Sequence, residues 1–280
     1  MPELPEVESV LRYLRDGKPT LIGRSVRAVN IVWSGSISAG YGDILKAGLY
    51  GAKFAAIRRH GKYLIFSLDQ PGEPGKSLYL IVHLRMTGRL YLVSHDNAVE
   101  RHTRLSLMLD EGLALRFDDP RKFGRIWLVQ NPGEVICGLG PDALTVAYEY
   151  FAGAFSERRR QIKPLLLDQS FVAGIGNIYA DESLFRAGIH PQTSTESLQE
   201  VDVERLYRSI RDVLSEAVDA QGANIDGVFK EGGFIVTVYG RTGRACPLCG
   251  TAIAKIRVGQ RGTHFCPSCQ HLQIAGKLNS

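Results

Sequence analysis

Apolar residues at Val7, Val10, Leu11 and Leu14 recur on one helical face and predict a helix over about 5–15. Pro5 suits its first position, and Glu6 and Glu8 suit the positive end of its dipole. Strand-like runs then follow one another over 25–33, 63–68, 78–84, 89–93, 103–109, 113–117 and 125–129. A Pro/Gly loop at 70–75 and the turn Asp110-Glu111-Gly112 separate several of them. Short strands with few helices between them predict an antiparallel sandwich or barrel that ends near Pro141. Past Tyr148 the pattern turns helical, with helices expected over 151–155 and 163–168, one opened by 174–177 and running to about 187, and one over 204–221. In the last of these Leu206, Ile210, Val213, Leu214, Ala217 and Val218 make one apolar stripe, and Gly222 ends it.

At 280 residues, 44% hydrophobic and 22% charged, the chain has length for two domains and a small module. It carries no secretory signal pattern and no apolar run long enough to span a bilayer, so a cytoplasmic location is expected. Net charge is +5, and its distribution matters more than its size. Residues 241–280 hold Arg241, Arg244, Lys255, Arg257, Arg261 and Lys277 with no Asp or Glu. A second acid-free stretch, 44–68, holds Lys46, Lys53, Arg58, Arg59 and Lys62. Positive charge segregated in this way points to a polyanion such as nucleic acid, with a solvated basic face as the plainer alternative.

Cys246-Pro247-Leu248-Cys249 and Cys266-Pro267-Ser268-Cys269 are two CxxC pairs sixteen residues apart. Four thiolates on two tight knuckles meet the tetrahedral preference of zinc, and a cytoplasmic setting disfavours disulfides. The segment between them reads as a hairpin about Gly259-Gln260-Arg261-Gly262. So small a module has too few apolar residues to fold without metal, so the zinc is structural and leaves no ligand position open. Arg261 at the tip is a candidate phosphate or sugar contact, since no acid in the module pairs with it. The remaining cysteine, Cys137, is expected in the core.

The other chemistry lies at the N terminus and on loops. Once methionine is removed, Pro2 presents a secondary amine, a nucleophile that titrates near neutrality without burial, and Glu3 beside it can move protons. A plain helix start explains Pro5, Glu6 and Glu8 but gives no reason for Pro2-Glu3. Gly174-Ile175-Gly176-Asn177 opens a helix and exposes backbone N–H groups, and with Arg158, Arg159, Arg160 and Lys163 before it the arrangement suits a DNA backbone. Met86 and Phe123 stand next to turn glycines. They are candidate wedges between base pairs with Arg121 alongside, although such residues are by default core.

Taken together, these motifs resemble the formamidopyrimidine-DNA glycosylase family of base-excision repair enzymes. The resemblance runs over essentially the whole chain, through Pro2–Glu8, Arg59–Leu64, His83–Gly88, Asp119–Gly124, Gly174–Glu182, Val238–Arg241 and the four cysteines. It implies an α+β multidomain protein: an N-terminal antiparallel β-sandwich (1–141), a helix–two-turn–helix domain (142–222), a lesion-capping loop and linker (223–240) and a zinc-finger β-hairpin (241–280). It implies that Pro2 forms a Schiff base with the sugar of a flipped oxidised purine, that Glu3 donates protons, and that Lys62 and Arg261 assist β- and δ-elimination. By the same resemblance His102, Arg121, Lys163 and Asn177 hold duplex DNA, and Met86, Arg121 and Phe123 fill the gap left by the base.

One departure stands out: 222–240 is shorter than the segment that closes over 8-oxoguanine in many family members. Ring-opened purines and abasic sites are therefore expected to be handled better. The alternatives are an endonuclease VIII-type enzyme for oxidised pyrimidines, disfavoured by Leu4 and the 119–124 motif, and a non-enzymatic zinc protein that senses damage. A monomer is expected, because one chain supplies a whole site.

Overall fold

A computed structural model describes residues 2–38, 42–72, 77–224 and 232–273, and these fall into two compact units, 2–137 and 138–273. The first unit opens with helix α1 (Leu4–Asp16), which buries Leu4, Val7, Val10, Leu11 and Leu14 on the face predicted from their spacing. Each such side chain contributes about 2 kcal/mol on leaving water. Two four-stranded antiparallel sheets follow. One is ordered β1 (Val26–Ile31), β6 (Thr103–Leu109), β7 (Leu113–Asp118), β5 (Arg89–Ser94). The other is ordered β2 (Lys53–His60), β3 (Tyr63–Asp69), β4 (Leu78–His83), β8 (Arg125–Val129). A single core joins α1 to side chains of both sheets, among them Phe54, Phe66, Leu80, Leu107, Phe117 and Ile126.

Three elements of this unit escape the sequence pattern, β2, helix α2 (Gly42–Leu49) and the short helix α3 (Gly133–Ile136). In β2 the pairing with β3 shifts between Phe54 and Ala56, so the buried residues Phe54 and Ile57 stand three apart and the alternation of a strand is lost. Cys137 is exposed, not in the core, because it follows a short helix, α3 (Gly133–Ile136), that buries none of its residues.

The second unit holds α4 (Tyr148–Ser156), α5 (Ile162–Leu167), α6 (Asn177–Arg186) and α7 (Glu200–Asp219), then the hairpin β9 (Ala254–Val258) and β10 (Arg261–Phe265). Helix α7 buries Leu206, Ile210, Val213, Leu214, Ala217 and Val218, the stripe read from the sequence. Phe151, Phe155, Phe171 and Tyr207 pack ring against ring beneath α4. Of the expected capping segment, 225–231 lies outside the described residues, as does 73–75 of the first loop.

Candidate functional site

Pro2 and Glu3 are buried immediately ahead of α1. The Glu6 carboxylate accepts the Glu3 N–H at 2.8 Å, and the Glu3 carbonyl accepts the Val7 N–H at 3.1 Å. These bonds hold the chain start in one geometry, where an uncapped terminus would fray. Lys62 occupies the two-residue turn between β2 and β3, behind Gly61 in the left-handed region at φ 55°, and is only 8% exposed.

Two loops of the first unit are tied to each other through Asp119. Its Oδ1 accepts the Thr87 hydroxyl at 2.5 Å and the Arg121 N–H at 3.2 Å, and its Oδ2 accepts the Gly124 N–H at 2.7 Å. The Asp119 N–H in turn donates to the His102 carbonyl at 2.9 Å. Met86 and Phe123 are 36% and 44% exposed, against the default that such side chains are core. The Arg121 guanidinium lies 4.7 Å from the Phe123 ring centroid, and the Lys122 ammonium 4.0 Å from that of Trp33. His83, buried against the Tyr63 ring, accepts the Arg85 N–H on Nδ1 at 2.9 Å and so fixes the left-handed turn before Met86. Burial, with Arg85 and Lys62 nearby, pulls the His83 pKa down to about 3, so the ring is neutral and free to accept that bond.

In the second unit the hairpin tip is latched to the helices. Gly259 and Gln260 both have positive φ, as the tight two-residue turn into β10 requires, and exposed Arg261 follows as the first residue of that strand. The Gly262 carbonyl accepts the Asn177 amide at 3.0 Å and the Lys163 ammonium at 3.1 Å. Lys163 is wholly buried, 2.8 Å from the Thr263 hydroxyl and 2.6 Å from Asp181, whose other oxygen accepts the His264 N–H at 2.8 Å. On the same helix, Glu182 accepts the N–H groups of Thr237, Val238 and Tyr239 at 2.8, 2.9 and 2.8 Å. Burial raises the Glu182 pKa, and those three donors oppose the rise.

The four cysteine sulfurs lie within 4.8 Å of one another, with Cys246 to Cys269 at 3.9 Å and Cys249 to Cys266 at 3.4 Å. Sulfurs bound at about 2.3 Å on a tetrahedral zinc stand about 3.8 Å apart, so the set fits one zinc with four protein ligands. A disulfide needs about 2.05 Å, and neither pair forms one. Hydrogen bonds from Thr251 bring the Cys249 thiol down to about 6, toward the thiolate a metal requires, while burial pushes Cys266 and Cys269 up in the metal-free cluster. The fifth cysteine, Cys137, lies in the other unit.

Three family profiles match in succession: the formamidopyrimidine-DNA glycosylase N-terminal domain over 1–126, the H2TH domain of the same enzymes over 138–227, and the zinc finger found in FPG and IleRS over 243–272. The formamidopyrimidine-DNA glycosylase of Enterococcus faecalis is 39% identical, with 98% of each chain aligned. The chain belongs to the formamidopyrimidine-DNA glycosylase family. Its relative of that name in Symbiobacterium thermophilum is 43% identical over 96% of this chain and 89% of its own. Among solved structures, the Lactococcus lactis Fpg with abasic-site DNA superposes with a TM-score of 0.86 at 35% identity, over 96% of this chain and 100% of that one. The same enzyme with N7-benzyl-Fapy-dG DNA gives 0.87 at 35% identity over the same shares.

Within this family frame, most residues singled out from the sequence form three local groups beside the cysteine cluster, with Lys62 apart in the β2–β3 turn: Pro2 with Glu3 at the start of α1, Met86 with His102, Arg121 and Phe123 around Asp119, and Lys163 with Asn177 at the hairpin tip behind Arg261. The carboxylates Asp119, Asp181 and Glu182, which organise the last two groups and the segment after 231, drew no role from the sequence. Two adjacent acids in the middle of α6, between Ile178-Tyr179-Ala180 and Leu184-Phe185, were the signal for the latter pair.

Proposed function

We propose that this chain removes oxidised or ring-opened purines from duplex DNA and then cuts the strand at the abasic site. The observation that carries the reading is the whole-length family match, joined to a Pro2-Glu3 start held at the head of a packed helix. In this reading the Pro2 nitrogen attacks C1′ of the damaged nucleotide. The bond from C1′ to the base breaks, and Glu3 supplies the proton for base departure and sugar ring opening. The resulting imine acidifies the C2′–H. Lys62 assists loss of the 3′ phosphate and Arg261 loss of the 5′ phosphate, after which water releases the amine.

Met86 and Phe123 fill the gap in the stack with Arg121 beside them, which offsets the few kcal/mol that base flipping costs. Arg261, His102 and Asn177 steady the backbone, and zinc held by the four cysteines shapes the finger without entering the chemistry. Lys163, wholly buried, contributes by holding the Gly262 carbonyl. The active species is a monomer. The shortness of 222–240 supports a preference for formamidopyrimidines and abasic sites over 8-oxoguanine. No helix among the described residues is long and apolar enough to cross a membrane.

The test is borohydride trapping on four duplexes, carrying 8-oxoguanine, a formamidopyrimidine, an oxidised pyrimidine or an abasic site. A covalent adduct is expected with the purine lesions and the abasic site, and loss of it with Pro2→Gly or an uncleaved N-terminal tag. An adduct confined to the pyrimidine duplex would assign the endonuclease VIII type. Binding without any adduct would leave only a damage-sensing protein.

A further inference from the structure

Arg59 is a guanidinium almost sealed from water, its side chain 6% exposed, on a strand whose other cations, Lys53 and Arg58, face solvent. Its Nε donates to Glu8 Oε2 at 2.9 Å, and Glu8 lies on α1, little more than one turn past Glu3. A second nitrogen of the same guanidinium donates to the Gly61 carbonyl at 2.8 Å. That carbonyl belongs to the peptide leading into Lys62, in a turn already committed to a left-handed Gly61. The other Glu8 oxygen accepts from Arg12 at 3.3 Å, which keeps the carboxylate turned toward Arg59.

One planar group thus bonds both to the helix that carries the N-terminal amine and to the turn that carries Lys62. A planar fork holds two acceptors at fixed separation, whereas an ammonium on a flexible stem meets the same pair without that constraint. Burying such a charge costs solvation that a surface pair avoids, so the contact is weak as a source of stability. It is well suited to fixing geometry.

We propose that Arg59 is a positioning residue that sets the distance between the Pro2 amine and Lys62, so that imine formation and strand scission stay coupled. The inference rests on the roles given above to those two groups. Misplacing Lys62 by a fraction of its reach slows elimination more than amine attack, because the helix start keeps its own capping bonds. The imine then accumulates.

The experiment uses the zinc-loaded full chain with its native N terminus, at saturating enzyme, on a duplex with one abasic site. Both borohydride-trapped adduct and cut strand are followed over time. Arg59→Met and Arg59→Lys are expected to slow scission by about tenfold to a hundredfold. The ratio of trapped imine to cut strand should rise above wild type. Glu8→Gln, which keeps an acceptor, should fall between wild type and Arg59→Met. Affinity for a duplex with a tetrahydrofuran abasic analogue should stay within about threefold, since the Arg59 side chain is only 6% exposed and its bonds go to Glu8 and Gly61.

A purely structural Arg59 lowers adduct and scission together, in step with the folded fraction measured by melting, and leaves their ratio unchanged. That result overturns the proposal, as does wild-type behaviour in both Arg59 variants. Failure of the underlying reading looks different: the wild type forms no adduct, or Pro2→Gly still forms one.

Discussion

The Lys163 ammonium lies 2.6 Å from the Asp181 carboxylate, and both side chains are wholly buried. Removing one partner of such a pair strands the other charge in the interior, at a cost of about 3–5 kcal/mol. Asp181→Asn should therefore lower the urea midpoint of the transition that releases the hairpin, while the double variant Lys163→Met, Asp181→Leu recovers much of the loss. An Asp181→Asn protein as stable as wild type would show that the pair holds nothing together.

Gly124 has no room for a side chain. A Cβ there would stand 2.3 Å from the Phe117 ring, which is fully buried between the sheets. Gly124→Ala should cost about 1–3 kcal/mol through displacement of that ring. Because the Gly124 N–H also binds Asp119, lesion-duplex affinity should weaken as well. Retained melting temperature and affinity together would refute the crowding argument.

His83 gives a signed pH dependence. Its folded pKa, about 3, lies below the unfolded value of about 6.5, so the unfolded chain binds the extra proton between those limits. Stability from this group is complete above pH 6.5 and is lost as pH falls toward 3, by about 1.4 kcal/mol per unit. His83→Gln should flatten that slope relative to wild type between pH 6.5 and 4.5. Parallel melting curves for the two proteins across this range would contradict the assignment.

Metal removal should act beyond the knuckles. Chelation is expected to release one zinc per chain, unfold the hairpin and weaken duplex binding, and Cys249→Ser should reproduce the effect. A metal-free protein that keeps full affinity would rule out a role for the finger in binding.

Much of this was readable from the chain because the relevant signals are local. The α1 face, the α7 stripe and the paired cysteines each depend on spacing within one element, and spacing is what a sequence displays. Strand β2 stayed hidden because its bulge breaks the alternation that identifies a strand. Burial of Lys163 was illegible for another reason: its partners Asp181, Gly262 and Thr263 lie between eighteen and a hundred positions away. Asp119 shows the same limit, since the Thr87 it binds is 32 residues upstream. Exposure of Met86 and Phe123 depended on how two distant loops are tied, so the chain offered candidates without the means to choose.

The chain has two tryptophans, Trp33 under the Lys122 ammonium and Trp127 on β8, and both fall in the first unit. Indole emission is therefore blind to the zinc-bearing half and selective for the sheets. Because Lys122 sits between Arg121 and Phe123, any rearrangement of that loop alters the electric field at Trp33, giving the protein a built-in optical reporter of the 119–124 loop that needs no dye.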